Sequence, residues 1–177
     1  MLQTLLFSPQ RVRRMVRRMA YQVVERNAGS ASLMVAGIAE KGVPMAEMLA
    51  EAIGAIEHTV CPVYALDVTP YRDDQEAPPT ADGPPALSAD VTAHDVLLVD
   101  DVLFTGRTAR AAIDAVVRSG RPDSIQLAVL IDRGHREYPI QPDYVGRTIP
   151  TKHREQVVVE PSADGSFAVR VVERGAV

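Results

Sequence analysis

Val96-Leu97-Leu98-Val99-Asp100-Asp101-Val102-Leu103-Phe104-Thr105-Gly106-Arg107-Thr108 is the stretch that decides how this chain folds. It runs from an apolar strand through two adjacent carboxylates into a Thr- and Gly-containing turn that opens a helix. A turn entering a helix presents unpaired backbone N–H groups at the positive end of the helix dipole, which suits a phosphate. The hydroxyls of Thr105 and Thr108 add donors, and Gly106 lets the backbone come close to an anion. Asp100 and Asp101 would repel phosphate but accept hydrogen bonds from sugar hydroxyls. One segment therefore suits both ends of a ribose 5-phosphate.

On either side of it the chain alternates helical and strand patterns, which predicts a parallel sheet covered by helices. Upstream, Val12, Met15, Val16, Met19, Val23 and Val24 recur at helical spacing from Gln10 to Asn27, with Ser8 as N-cap, Pro9 at the first position and Gly29 as the stop. Ser32–Ile38 reads as a buried strand, Val43–Glu57 as an amphipathic helix and Pro62–Val68 as the next strand. Asp73–Asp90 holds Pro78, Pro79, Pro84 and Pro85 and almost no bulky apolar residue, the composition of a mobile loop. The central strand is expected over Asp95–Asp100, its helix over Gly106–Ser119, and another strand over Ile125–Ile131. The chain finishes in a hairpin, Glu155–Glu160 and Phe167–Val172 about a Ser162–Gly165 turn.

At 177 residues the chain is expected to form a single domain over 1–177, large enough to bury a substantial core. Its net charge of −4 argues against a wholly nucleic-acid- or membrane-binding surface. Cys61 is the only cysteine, so an intrachain disulfide and a cysteine-built metal site are both excluded. A reducing, cytoplasmic setting and no membrane association are expected, since no apolar run approaches the roughly 20 residues of a membrane span. The arginine-rich first 24 residues are too poor in Ser and Thr for a transit peptide and run straight into a structural helix.

The Val99–Thr108 segment resembles the phosphoribosyl pyrophosphate (PRPP) signature of the type I phosphoribosyltransferases. Three further stretches narrow the likeness: Asp67-Val68-Thr69-Pro70-Tyr71-Arg72-Asp73-Asp74, Ile131-Asp132-Arg133-Gly134-His135-Arg136-Glu137-Tyr138-Pro139-Ile140 and Asp143-Tyr144-Val145-Gly146-Arg147-Thr148-Ile149-Pro150-Thr151. These are similar to the bifunctional pyrimidine operon attenuation regulators that are also uracil phosphoribosyltransferases. The likeness spans nearly the whole chain, from about Gln10 to the last hairpin.

The resemblance implies an α/β type I phosphoribosyltransferase fold: a central parallel sheet of about five strands flanked by helices, with a small hood. By it, Asp100 and Asp101 hold the ribose hydroxyls, and Val102, Leu103, Phe104, Thr105, Gly106, Arg107 and Thr108 wrap the 5-phosphate. Glu40, Lys41 and Gly42 receive pyrophosphate, while Arg133 and the backbone near Val157 lie by the nucleotide. Tyr71, Arg72, Asp73 and Asp74 begin a flexible flap over about 71–92. Implied partners are PRPP, uracil and uridine monophosphate (UMP). Mg²⁺ is the implied cofactor, held mainly by substrate and water. A homodimer or a dimer of dimers is implied as the assembly. The family usually carries Thr-Arg-Gly where this chain has Glu40-Lys41-Gly42. A carboxylate beside pyrophosphate is unfavourable and Lys lacks the bidentate fork of Arg, so catalysis is expected to be measurable but weakened.

Arg11, Arg13, Arg14, Arg17 and Arg18 crowd the first helix. A charge run of this kind is most often a solvated helix face. The family likeness supplies a second use, because its regulators bind leader RNA of the pyrimidine (pyr) operon through a basic face. Arg14, Arg17, Arg18, His135, Arg136, Arg147 and Lys152 are the RNA candidates. Two alternatives stay open: an RNA-binding regulator with vestigial catalysis, and a transferase for another base.

Overall fold

The computed structural model describes residues 3–74 and 86–173. Helix α1 (Pro9–Asn27) starts where expected, with Pro9 in its first turn, but Ser8 caps it by backbone alone: its carbonyl accepts the Arg11 and Val12 amides, and its side chain makes no cap bond. It ends at Asn27, two residues before the expected glycine. Ala28 takes the left-handed conformation, and the Gly29 N–H closes the end on the Val24 carbonyl.

Five strands form one parallel sheet in the order β3-β2-β4-β5-β6: β2 (Leu33–Ile38), β3 (Val63–Leu66), β4 (Asp95–Leu103), β5 (Ser124–Asp132) and β6 (Tyr144–Thr148). Strand periodicity sorts its residues into two cores. Leu33, Val35, Leu97, Val99, Ala128 and Leu130 face α1 and α2 (Gly42–Glu57), among Val12, Met19, Leu49 and Ile53. Met34, Ala36, Val96, Leu98, Leu127 and Val129 face the other way, onto Ala109, Ala112, Ala115 and Val116 of α3 (Arg107–Arg118) and onto Leu87 and Val91. A sheet buried on both faces explains why these strands read as unbroken apolar runs.

The second sheet is three-stranded and antiparallel, β1-β8-β7: β1 (Gln3–Phe7), β7 (Glu155–Pro161) and β8 (Phe167–Glu173). This is the expected hood. Its hairpin and turn match the sequence reading, with Gly165 at φ 74° in the turn. β1 was not foreseen: it is five residues long, half exposed and bulged between Leu5 and Phe7, so it shows no clean alternation. Two ties dock the hood on α1, an Arg13–Asp164 ion pair at 2.6 Å and a Ser166 Oγ bond to the Pro9 carbonyl at 3.2 Å.

Two boundaries need correction. The central strand continues past the expected Asp100 to Leu103, because Val102 and Leu103 still pair with Ile131 and Asp132. The edge strand β6 lies inside a stretch read only as a family motif. Gly146 sits there because a Cβ would meet the Leu130 carbonyl oxygen of the neighbouring strand. Of the expected flap, 75–85 fall outside the described residues.

Candidate active site

All five sheet strands run parallel, so the loops after β2, β4, β5 and β6 emerge along one edge. In open α/β sheets this carboxyl edge is where ligands bind. Asp100 and Asp101 lie three and two residues from the end of β4, with Asp101 buried and Asp100 half-buried. The Asp101 N–H donates to Asp100 Oδ1 at 2.9 Å. Burial and the adjacent Asp101 carboxylate push the Asp100 carboxyl up to about 8, and burial raises Asp101 as well. The positive charge of Lys41 opposes both shifts, which puts this residue in the electrostatic neighbourhood of the pair.

Lys41 reaches that position because α2 begins against β4. A Cβ on Gly42 would meet the Val99 carbonyl oxygen, so only glycine permits the approach. Glu40 and Lys41 are exposed, and the Ala39–Glu40 peptide is cis.

The turn itself is shorter than the expected wrap. Val102 and Leu103 belong to the strand, and Leu103 points into the core beneath α3. Phe104, Thr105 and Gly106 form the turn, with Gly106 at φ 90° capping α3. No hydrogen bond ties the Thr105, Gly106 or Thr108 amide to another described residue, so three donors stand open at a helix N-terminus. The Arg107 amide is spent on Thr105 Oγ1 at 3.3 Å.

The loop after β5 backs this turn. Arg133 is buried, with its Cζ 4.0 Å from the centre of the Phe104 ring. Its guanidinium donates to Thr151 Oγ1 at 3.0 Å and to the Glu155 carbonyl at 2.6 Å, clamping the segment that leads into the hood. Val157 is buried in the core at the start of that hood. Arg107 is exposed and reaches across to Glu137 at 2.7 Å and to Asp73, while its Cζ lies 5.1 Å from the Tyr138 ring centre. Tyr71 is buried, with its carbonyl accepting from Arg110, and Arg72 pairs with Asp74. Sequence reading did not single out Tyr138 or Glu137. Both stand in a quoted motif, but nothing in a linear pattern says which residue meets the foot of a distant loop.

The seven RNA candidates sit in several local settings. Arg14, Arg18 and Arg147 line one groove of ≈ 350 Å³ with Arg11, Phe7, Met15 and Gly146. Within it Arg18 also bonds the Val145 and Gly146 carbonyls at 2.9 and 2.6 Å. Arg17 lies on the α1–α2 groove instead, over Tyr21. His135 donates from Nε2 to the Thr151 carbonyl at 2.5 Å, and its ring lies 4.0 Å from that of His153, tilted by 51°. Arg136 turns inward and Lys152 is exposed.

The sequence family described as "Phosphoribosyl transferase domain" matches residues 4–164, and curated proteins match along almost the whole chain. The chain belongs to the phosphoribosyltransferase family. Within this family it is 45% identical to "Bifunctional protein PyrR" of Halalkalibacterium halodurans, over 96% of this chain and 97% of that protein. It is 48% identical to "Bifunctional protein PyrR" of Pelotomaculum thermopropionicum, over 92% and 91%. At 44% it resembles "Pyrimidine operon regulatory protein" of Lactococcus lactis subsp. cremoris, over 90% and 91%. Among solved structures, the hypoxanthine phosphoribosyltransferase of Trypanosoma cruzi superposes with a TM-score of 0.72 over 96% of each chain at 18% identity, a likeness of fold. A phosphoribosyltransferase of this fold accounts for the carboxyl-edge site, the paired acids and the open amides together. No described helix is long and apolar enough to cross a membrane.

Proposed function

We propose that the chain is a uracil phosphoribosyltransferase that also regulates pyrimidine gene expression as a UMP-sensing RNA-binding attenuator. The observation that carries the enzymatic part is the pairing of Asp100 and Asp101 with the open amides of the Phe104–Gly106 turn. Acids for the sugar and donors for its phosphate stand on one strand end. The regulatory part rests on the likeness to proteins named PyrR and "Pyrimidine operon regulatory protein", and on the Arg14–Arg18–Arg147 groove.

In the reaction, a uracil nitrogen forms a bond to the anomeric carbon of PRPP. The bond to pyrophosphate breaks, pyrophosphate leaves with its electron pair, and the nitrogen's proton passes to solvent. Positive charge builds at the anomeric carbon, so placement and charge stabilisation outweigh any strong base. Asp100 and Asp101 accept the ribose hydroxyls. The Thr105, Gly106 and Thr108 amides hold the 5-phosphate at the positive end of α3. Lys41 meets the departing pyrophosphate as a point charge, with Glu40 beside it as an opposing one.

The site fits Mg²⁺. Asp100 and Asp101 are adjacent carboxylates whose charged forms burial disfavours, and hard oxygen donors suit that ion, with substrate and water as its main ligands. When bound with substrate, it would neutralise charge on the pyrophosphate oxygens. The assembly we propose is a homodimer or a dimer of dimers.

The deciding experiment offers the protein uracil, hypoxanthine, orotate or adenine with PRPP and Mg²⁺, and measures pyrophosphate release. Release with uracil alone supports the reading; release with another base overturns it. Absence of release with every base, beside a UMP-dependent gel shift of pyrimidine-operon leader RNA, would favour a regulator with vestigial catalysis, the reading that Glu40 and Lys41 favour.

A further inference from the structure

Two consecutive peptide groups of the phosphate turn are held from behind by the loop after β5. The Phe104 carbonyl accepts from Arg136 Nη1 at 2.8 Å. The Thr105 carbonyl accepts from the Glu137 and Tyr138 amides at 2.9 and 3.0 Å. Both peptides are trans. In a planar trans peptide the carbonyl and the next N–H point to opposite sides. Anchoring these carbonyls therefore turns the Thr105 and Gly106 amides away from the loop, to the side where they meet no described partner.

Of these anchors only Arg136 is a side chain, and it is itself fixed. Its Nε donates to the Ile140 carbonyl at 2.9 Å and its Nη2 to Asp132 Oδ2 at 2.6 Å, with the side chain mostly buried. Asp132 ends β5 and pairs in register with Leu103, the last residue before the turn. The guanidinium thus transmits the sheet edge to one peptide plane, using the rigid fork that a lysine lacks.

We propose that Arg136 is a positioning residue for the 5-phosphate, setting the orientation of the Thr105 amide while touching no ligand itself. This rests on the reading of Phe104–Gly106 as a phosphate cradle. It gives Arg136 a task in the nucleotide site in place of one on an RNA surface.

The test compares UMP with uridine, which differ only in the phosphate, by calorimetry on the wild type, Arg136→Gln and Arg136→Lys. A mispointed amide forfeits a charge-assisted hydrogen bond, so UMP affinity is expected to fall about ten-fold in Arg136→Gln while uridine affinity holds. Arg136→Lys is expected to lose less, with the same selectivity for UMP. In the wild type, ¹⁵N spectra are expected to show UMP but not uridine shifting the Thr105 and Gly106 amides, and the Thr105 shift is expected to shrink in both variants. Equal loss for UMP and uridine, or no loss for UMP, overturns the proposal. Should Arg136→Gln not fold, Arg136→Lys and its Thr105 resonance decide alone. A wild type that binds UMP no better than uridine would instead overturn the phosphate-cradle reading beneath it.

Discussion

The Tyr138 hydroxyl donates to Asp73 Oδ2 at 3.0 Å, so a residue behind the phosphate turn holds the foot of the segment that leads into 75–85. Arg107, from the first turn of α3, grips the same carboxylate. Together they keep the Asp73 carboxyl below the usual carboxylate range, with the Tyr138 bond the larger cause and the Arg107 charge adding to it.

Tyr138→Phe removes that donor and spares the Arg107 pair. A carbon-detected NMR titration of Asp73 is expected to show its pKa rising towards the ordinary value. Because the folded pKa is depressed, the tie contributes above the unfolded-state pKa and fades as pH falls through the folded one. An Asp73 pKa unmoved by the substitution would refute the assigned cause.

Asp100 behaves in the opposite sense. Its carboxyl is pushed up to about 8, so between the model-peptide value and that point the folded chain binds the extra proton. The contribution of Asp100 to the stability of the ligand-free protein is fullest at low pH and falls as pH rises through this window. Thermal midpoints without ligand are expected to drop from pH 5 to pH 8, and Asp100→Asn to flatten that slope. An equal drop in both proteins would remove Asp100 as its source.

Glu40 and Lys41 set a ceiling on turnover if pyrophosphate leaves past them. Glu40→Thr combined with Lys41→Arg trades an opposing charge for a hydroxyl and a point charge for a fork. The expected gain in kcat/KM for PRPP is about ten-fold, the scale of one charge-assisted hydrogen bond. Unchanged or reduced uracil conversion would show that this loop is misread.

Arg14 and Arg147 line the basic groove and, among the described residues, their side chains make no hydrogen bond or ion pair, unlike that of Arg18. Arg14→Ala with Arg147→Ala is expected to leave uracil conversion intact and to weaken leader-RNA binding at least ten-fold. The salt dependence is expected to flatten by about 0.7 per lost phosphate contact. Retention of RNA with an unaltered salt slope would exclude this groove.

The layered fold was legible because burial on both faces of the sheet writes itself as apolar runs such as Val96–Val99 and Leu127–Ile131. β1 and β6 were not, since both are edge strands whose existence depends on partners far along the chain. The acids and the turn of the site could be read from one local segment. What props them could not: Arg136 looks like any surface arginine until the fold brings Phe104 beside it, and nothing in the linear pattern shows that the Arg133 guanidinium lies against the Phe104 ring.

The pairing of β1 with β8 sets Gln3 opposite Val172. β1 cannot pair until β8, about 165 residues further on, has been made, so this pairing forms only after the parallel sheet's strands are available. A short linker from the end of β8 to the start of β1, with the chain opened elsewhere, would make that distant pairing a local hairpin and let the hood form early.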